Sequence, residues 1–140
     1  MDEDPHDLQR FVQAQQGTVD AALAELRAGA KRTHWMWWVF PQLAALGRSA
    51  TARHYGLAGL DEARAYLAHP LLGERLRACA QAAAEARADS ALALMGSPDD
   101  LKLRSSMTLF AQAADDDADF TAVLDKYYGG EPDPRTLDLL

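Results

Sequence analysis

The chain has 140 residues, a formal net charge of −7 and one cysteine, and 49% of its residues are hydrophobic. A single cysteine excludes an internal disulfide and a zinc site built on cysteines. The longest apolar run, Trp35 to Phe40, is far shorter than the ~20 residues of a membrane span. Because the amino terminus is acidic and lacks an apolar stretch, we predict no signal peptide, a cytoplasmic location and no membrane partner.

Residue usage predicts an all-α fold. The chain contains 28 Ala and 20 Leu but four Val and no Ile. Alanine and leucine favour helices, whereas strands draw on β-branched residues. Because no linker or fixed repeat divides the sequence, we predict one domain over residues 1–140. Its expected architecture is an irregular bundle of about six to eight helices.

Apolar spacing and end signals place the helices along the chain. The clearest start signal is the tetrapeptide Ser-Pro-Asp-Asp at residues 97–100, in which Ser97 is expected to cap a helix and Pro98 to occupy its first position. In chain order the predicted helices cover Leu8 to Gln15, Thr18 to Gly29, Leu60 to His69, Pro70 to Ala83, Ser90 to Met95, Ser97 to Ala114, Phe120 to Tyr127, and a last turn between Asp133 and Leu140.

Charge is distributed unevenly along the chain. No Asp or Glu occurs from Leu26 to Leu60, and all three tryptophans fall inside this stretch, together with five Lys or Arg residues. Cations beside aromatic faces suit a phosphorylated ligand that carries a ring, because cations neutralise phosphate and indoles stack on the ring. The overall negative charge argues against nucleic acid as a partner. We therefore predict a basic aromatic pocket for a small phosphorylated or nucleotide-like anion, with no metal or other cofactor.

Several residues of this stretch are candidates for the pocket. Lys31 and Arg32 would clamp a phosphate, and Gln42 would contact a base or sugar edge. His34 is the best catalytic candidate, because an imidazole serves as a base or a hydrogen-bond donor near neutral pH. The plainer alternatives are solvated charge, an amide that stabilises a turn, and core packing of the aromatic rings. The predicted ligand-binding residues here are Lys31, Arg32, Trp35, Trp38, Gln42 and Arg48.

A second polar face is predicted on the helix that follows residue 98. Lys102, Ser105 and Ser106 lie at i, i+3 and i+4, away from the apolar stripe of Leu103 and Met107. Lys102 and Ser105 are catalytic candidates because a lysine one turn before a serine is the spacing of a serine–lysine nucleophile pair. Ser106 is a candidate ligand contact, and ordinary helix packing is the alternative for both serines. The ligand hypothesis requires the two segments to lie within side-chain reach around a concave pocket.

Three segments of the chain resemble one protein family. They are Lys31 to Gln42 (KRTHWMWWVFPQ), Tyr66 to Gly73 (YLAHPLLG) and Lys102 to Phe110 (KLRSSMTLF). Together they resemble the small bacterial proteins of domain of unknown function 1810, which are often mislabelled calpastatin. The resemblance covers nearly the whole chain and implies a compact all-helical fold. It implies no established activity and no agreed set of catalytic residues.

A looser similarity concerns the ligand. Thr33-His34-Trp35 and His69-Pro70 resemble positions in domains that act on ADP-ribose conjugates, which implies an ADP-ribose-related ligand that is bound and processed. The acidic residue that those domains place beside their histidine is missing from this sequence.

Two other hypotheses compete with the ligand-site hypothesis. One is a protein-interaction module without catalytic activity that exposes the tryptophan segment, and the other is a set of core aromatic residues that serve folding alone.

Overall fold

Ten α-helices make up most of the chain in the computed structural model, which describes residues 4–140. The all-helical prediction is confirmed, and no strand forms within the described range, where Leu43 and Leu57 make one isolated bridge. Between residues 4 and 140 no helix is both long and apolar enough to cross a membrane. The helices are α1 (Gln9–Gln15), α2 (Val19–Arg27), α3 (Met36–Val39), α4 (Ala50–His54), α5 (Leu60–Ala68), α6 (Leu72–Glu85), α7 (Ala91–Met95), α8 (Asp99–Ala113), α9 (Ala118–Tyr128) and α10 (Pro134–Asp138), with a 3₁₀ turn at Ala44–Leu46.

Ten helices exceed the six to eight that the sequence predicts, because α3 and α4 lie where apolar spacing gives no signal. Each is a single turn of four or five residues, too short for the 3.6-residue period to show. Pro41 follows Phe40, the C-cap residue of α3, and a residue before proline is driven out of the helical region. Phe40 accordingly leaves the helix with φ −125° and ψ 70°.

Local side-chain bonds set several helix ends. The Ser90 hydroxyl accepts the Ala93 N–H and begins α7, and the Asp133 carboxylate accepts the Thr136 N–H and begins α10. The His69 imidazole does the same for α6, because its Nδ1 accepts the N–H of Leu71 at 3.1 Å and of Leu72 at 3.3 Å. Pro70 therefore lies before α6 rather than at its first position.

The predicted cap of α8 is wrong. Pro98, not Ser97, occupies the N-cap, and no side chain caps this helix. The entering turn is closed instead by backbone, since the Asp100 N–H donates to the Gly96 carbonyl at 2.8 Å. The two aspartates of the first turn, Asp99 and Asp100, still lie at the positive end of the helix dipole, where negative charge is favourable.

Helix α8 runs through the centre of the molecule. Its residues 105–110 are all buried, and it packs against α5, α7, α9 and α10, while α6 packs against α2, α5 and α9. Helices α5 and α6 approach closely at Gly73, where an added Cβ would lie 2.1 Å from the Leu67 carbonyl oxygen. The largest fully buried side chains form one core: Phe11, Leu26, Trp35, Phe40, Leu57, Tyr66, Leu72, Leu76, Leu94, Leu103, Phe110 and Phe120.

Candidate functional site

The two segments singled out in the sequence meet at one carboxylate. The Lys31 ammonium lies 3.0 Å from one oxygen of Asp99, and the Lys102 ammonium lies 3.8 Å from the other. The Lys31 side chain is only 7% exposed, whereas that of Lys102 is 26% exposed. Asp99 is therefore shared by two cations, and its negative charge is balanced mainly by Lys31, the closer and more buried of the two.

Each of these lysines also stands over an indole. The Lys31 ammonium lies 5.1 Å from the ring centroid of Trp35, and that of Lys102 lies 5.8 Å from the ring centroid of Trp37. Both distances are within cation–π range. The two pairs differ in accessibility, because Trp35 is buried and Trp37 is half-buried. Of these two pairs, Lys102–Trp37 is the one that presents a cation and an aromatic ring to solvent.

The three tryptophans have three different environments. Trp35 is 1% exposed and its Nε1 donates to Glu25 at 3.0 Å, so it belongs to the core. Trp38 is half-buried, and its Nε1 donates to the Thr18 hydroxyl at 3.0 Å. Trp37 has its ring beside Trp38, with 5.8 Å between the centroids. Trp35 and Trp38 are therefore fixed by internal bonds, and Trp37 is the indole available for a ligand.

A narrow cleft opens beside Trp37. Its enclosed volume is about 10 Å³, which is room for roughly one water molecule. Gln42 and Tyr55 reach the cleft because residues 42–44 pair with Leu57: the Leu57 N–H donates to the Gln42 carbonyl at 2.9 Å. We call these residues the Trp37 cleft; they are Met36, Trp37, Phe40, Gln42, Ala52, Tyr55 and Lys102.

Glu25 fixes the loop that precedes α3. Its carboxylate accepts the N–H of Arg32 at 2.6 Å and of Thr33 at 2.8 Å, the Thr33 hydroxyl at 2.6 Å, and the Trp35 indole. Burial alone would raise the pKa of this carboxyl, but the hydrogen bonds from Thr33, Arg32 and Trp35 outweigh it and lower the pKa from 4.5 to about 2. An acidic group therefore does reach the segment around His34, but it comes from α2, nine residues before His34.

Three predicted residues of the same segment face solvent. His34, Arg32 and Arg48 are exposed, and within residues 4–140 their side chains form no hydrogen bond or ion pair. The exposed Arg32 and His34 project from the loop that Glu25 holds. Their side chains contact solvent, whereas Lys31 is committed to Asp99.

The two serines of α8 lie away from the Trp37 cleft. The Ser105 hydroxyl donates to the Asp133 carboxylate at 2.9 Å, and nothing in the described range joins it to Lys102 as a nucleophile pair would require. Hydrogen bonds from Thr136 and Ser105 outweigh burial and lower the pKa of Asp133. Ser106 is fully buried, and its hydroxyl has no partner among residues 4–140. Neither serine lines the cleft.

Comparison with known proteins places the chain in a family. The family model described as "Protein of unknown function (DUF1810)" matches residues 5–140. The chain belongs to the DUF1810 family. This DUF1810 chain is also similar to a solved structure, the conserved hypothetical protein Rv1873 from Mycobacterium tuberculosis, with 55% identity over 98% of each chain and a TM-score of 0.95. No curated protein matches it.

Sequence reasoning missed two residues that organise the site of this DUF1810 protein. Asp99 carries a local signal, because Lys102 follows it at i+3 on the same helix face. Its nearer partner in space, Lys31, is 68 positions earlier in the sequence and gives no such signal. Glu25 carries none, since its bonds to residues 32–35 depend on how the loop after α2 turns back. Tyr55 also lines the cleft without a local signal in the sequence, because the pairing of Leu57 with residues 42–44 brings it there.

Proposed function

We propose that this DUF1810 protein binds a small, ring-bearing phosphorylated anion at the Trp37 cleft, with ADP-ribose and related nucleotides as the first class of ligand. The observation that carries the proposal is the Lys102 ammonium over the half-buried Trp37 ring, 5.8 Å from its centroid. A cation and a ring presented side by side match a phosphate and a base on one ligand.

The charge balance at Asp99 supports this role for Lys102. Lys31 is the nearer partner of the carboxylate and is almost fully buried, so the pair neutralises itself internally. Lys102 makes only a 3.8 Å contact and keeps about a quarter of its side chain exposed. Its ammonium thus has donors available for a phosphate oxygen. The exposed Arg32 and Arg48 add positive charge in a segment without carboxylates of its own.

The shape of the cleft sets how a ligand binds. An enclosed volume of about 10 Å³ is far below the ~300 Å³ at which small-molecule pockets begin. A base would therefore stack on the exposed part of the Trp37 ring, with one edge toward Gln42 and Tyr55. Stacking on one aromatic ring contributes about 1–3 kcal/mol, so we expect modest affinity and strong dependence on Lys102.

The proposal is limited to binding. The Ser105 hydroxyl is engaged by Asp133 at 2.9 Å, and Ser106 is buried without access to the cleft. Of the predicted catalytic side chains, His34 and Lys102 can meet a bound anion, since His34 is exposed and Lys102 is 26% exposed. His34→Gln, measured with the ligand panel described next, tests whether this side chain contacts the ligand.

Thermal unfolding with a panel of ligands tests the proposal. The panel is ADP-ribose, AMP, ribose 5-phosphate and inorganic pyrophosphate. A ligand present at about 100 times its dissociation constant stabilises the folded state by about 2.7 kcal/mol, which for a chain of this length raises Tm by roughly 8 °C. We expect AMP and ADP-ribose to raise Tm more than pyrophosphate, because pyrophosphate has no ring to stack.

Two variants and one control make the test specific. Lys102→Met removes the ammonium but keeps the alkyl chain that packs on Trp37, and Trp37→Leu removes the ring; both should abolish the ligand-induced shift. Arg64→Gln removes an exposed cation elsewhere, paired loosely with Asp61 at 3.5 Å, and should leave the shift unchanged. A shift that survives both site variants, or no shift with any compound, overturns the proposal.

A second candidate function is a protein-interaction surface. It is favoured by two leucines on neighbouring helices, Leu92 on α7 and Leu101 on α8, which are 55% and 63% exposed. Helices α7 and α8 pack against each other, so the two leucines belong to neighbouring parts of the surface. The burial of Trp35 and the internal bond of Trp38 count against an interface centred on all three indoles. If no ligand stabilises the protein, this surface becomes the leading hypothesis.

A further inference from the structure

Arg75 differs from the other half-buried arginines of the described chain. Arg10 bonds to four carbonyls and to Glu62, Arg77 to Asp119 and a carbonyl, and Arg104 to two carbonyls. Arg75 has one bond, at 3.4 Å, to the amide oxygen of Gln15. Among residues 4–140 no carboxylate lies within 4.0 Å of it. Since a guanidinium carries five N–H donors, four of them have no protein acceptor.

Gln15 holds this guanidinium in place from the interior. The side chain of Gln15 is 1% exposed, and its amide nitrogen donates to the Trp38 carbonyl at 2.8 Å and to the Tyr66 hydroxyl at 2.9 Å. These two bonds fix the amide orientation, so its oxygen is the acceptor that faces Arg75. The arginine is therefore anchored to the core at one nitrogen and open at the others.

The open donors face a cleft between α2 and the first half of α6. The cleft has a volume of about 530 Å³, within the range of small-molecule sites, and much larger than the Trp37 cleft. Its wall includes Val19 and Leu23 from α2 and Leu71, which is 43% exposed. Two carboxylates, Asp20 and Glu74, also line it. We call this site the Arg75 cleft.

The charges of the Arg75 cleft define a ligand class. One guanidinium suits one carboxylate, held by two parallel hydrogen bonds. Two nearby carboxylates disfavour a doubly charged phosphate and favour a cationic amine on the same ligand. The apolar wall suits an aliphatic chain. We propose that the Arg75 cleft binds an aliphatic zwitterion, an amino acid such as leucine or a short peptide of such residues. This site is separate from the Trp37 cleft and does not depend on the function proposed for it.

Titration of isotope-labelled protein, followed by amide chemical shifts, tests the proposal. The probes are L-leucine, leucyl-leucine, 4-methylpentanoate, which lacks the ammonium, and isopentylamine, which lacks the carboxylate. We expect leucine or leucyl-leucine to shift amides of residues 15–23 and 71–78, with at least tenfold weaker binding for the two single-charge analogues. Tighter binding of leucyl-leucine than of leucine would assign a peptide, and the reverse would assign a free amino acid.

Variants connect the binding to the named side chains. Arg75→Gln should weaken leucine binding at least tenfold, whereas Arg64→Gln, on the exposed face of α5, should not change it. Asp20→Asn combined with Glu74→Gln should weaken leucine but not 4-methylpentanoate, and both positions are exposed, so folding is preserved. Absence of localised shifts up to about 10 mM of every probe overturns the proposal. Equal binding by Arg75→Gln, or by 4-methylpentanoate and leucine, overturns it as well.

Discussion

Arg10 and Glu62 form a largely buried ion pair that joins α1 to α5, with 2.8 Å between Nη2 and Oε2 and side-chain exposures of 12% and 7%. Glu62 also accepts the Ala58 N–H at 3.0 Å. Arg10 further donates to the carbonyls of His54 and Gly56, so one guanidinium ties the amino-terminal helix to the segment that carries Tyr55 into the Trp37 cleft.

Replacing Arg10 should destabilise the protein strongly. Arg10→Gln leaves Glu62 as a buried carboxylate without its partner, which costs about 3 kcal/mol. Urea unfolding measures the difference in free energy against the wild type. Arg64→Gln breaks only an exposed pair with Asp61 and should change stability by less than about 0.5 kcal/mol. Equal effects of the two substitutions would show that the Arg10 contacts are not formed in solution.

Glu25 should contribute to the loss of folding stability at acidic pH. Its pKa is lowered from 4.5 to about 2 in the folded state, so the carboxylate contributes stability that is fully present above pH 4.5 and is lost as the pH falls toward 2. Glu25→Gln should therefore be less stable than wild type at pH 7, and the difference should shrink between pH 4.5 and pH 2. Urea midpoints at several pH values test this. A difference that stays constant with pH would argue against a charge-based role.

Ser105 and Ser106 should respond in opposite directions to alanine. Ser106→Ala removes a buried hydroxyl that has no partner and should raise stability by about 1 kcal/mol. Ser105→Ala removes the hydrogen bond to the Asp133 carboxylate and should lower stability by about 1–2 kcal/mol. The two neighbours serve as controls for each other in one denaturation experiment. A loss of stability in Ser106→Ala would reveal an acceptor or water at that hydroxyl.

Gly73 should not tolerate the substitution that usually strengthens a helix. Alanine within a helix is favoured over glycine by roughly 0.5–1 kcal/mol, but at Gly73, the second residue of α6, its Cβ would meet the Leu67 carbonyl oxygen at 2.1 Å. Backbone must then move, and overpacking costs about 1–3 kcal/mol. Gly59→Ala is the control, since nothing lies within 4 Å of the added Cβ. A neutral Gly73→Ala would mean that α5 and α6 are farther apart than described.

Most of the fold could be predicted because its long helices bury continuous apolar stripes. Leu72, Leu76 and Cys79 on α6 follow one another at about one helical turn, and all three are buried. The glycine at residue 129 ends α9 with φ +62°, as its sequence position after Tyr128 indicates. Such signals involve only residues that are near each other in sequence, so they can be recognised without the tertiary structure.

The candidate site was less predictable because its orientation is decided by distant contacts. Trp35 and Trp37 are two positions apart in a run of aromatic residues, and nothing in that run distinguishes the buried ring from the half-buried one. The carboxylate of Glu25 accepts a hydrogen bond from the Trp35 indole, and this contact determines that Trp35 is the buried ring. The same holds for Ser105, whose partner Asp133 is 28 residues away. The Arg75 cleft could not be predicted from the sequence, because α2, α6 and Gln15 come together only in the folded chain.

Because all three tryptophans lie in residues 35–38, the intrinsic fluorescence of the protein reports on the surroundings of this one segment. Its ultraviolet-excited emission comes from one four-residue segment, with one indole sheltered, one bonded to Thr18 and one beside Lys102. An occupant of the Trp37 cleft would change the colour or yield of that light without any attached dye. An occupant of the Arg75 cleft touches no indole ring and would leave the emission nearly unchanged, so one optical titration separates the two sites.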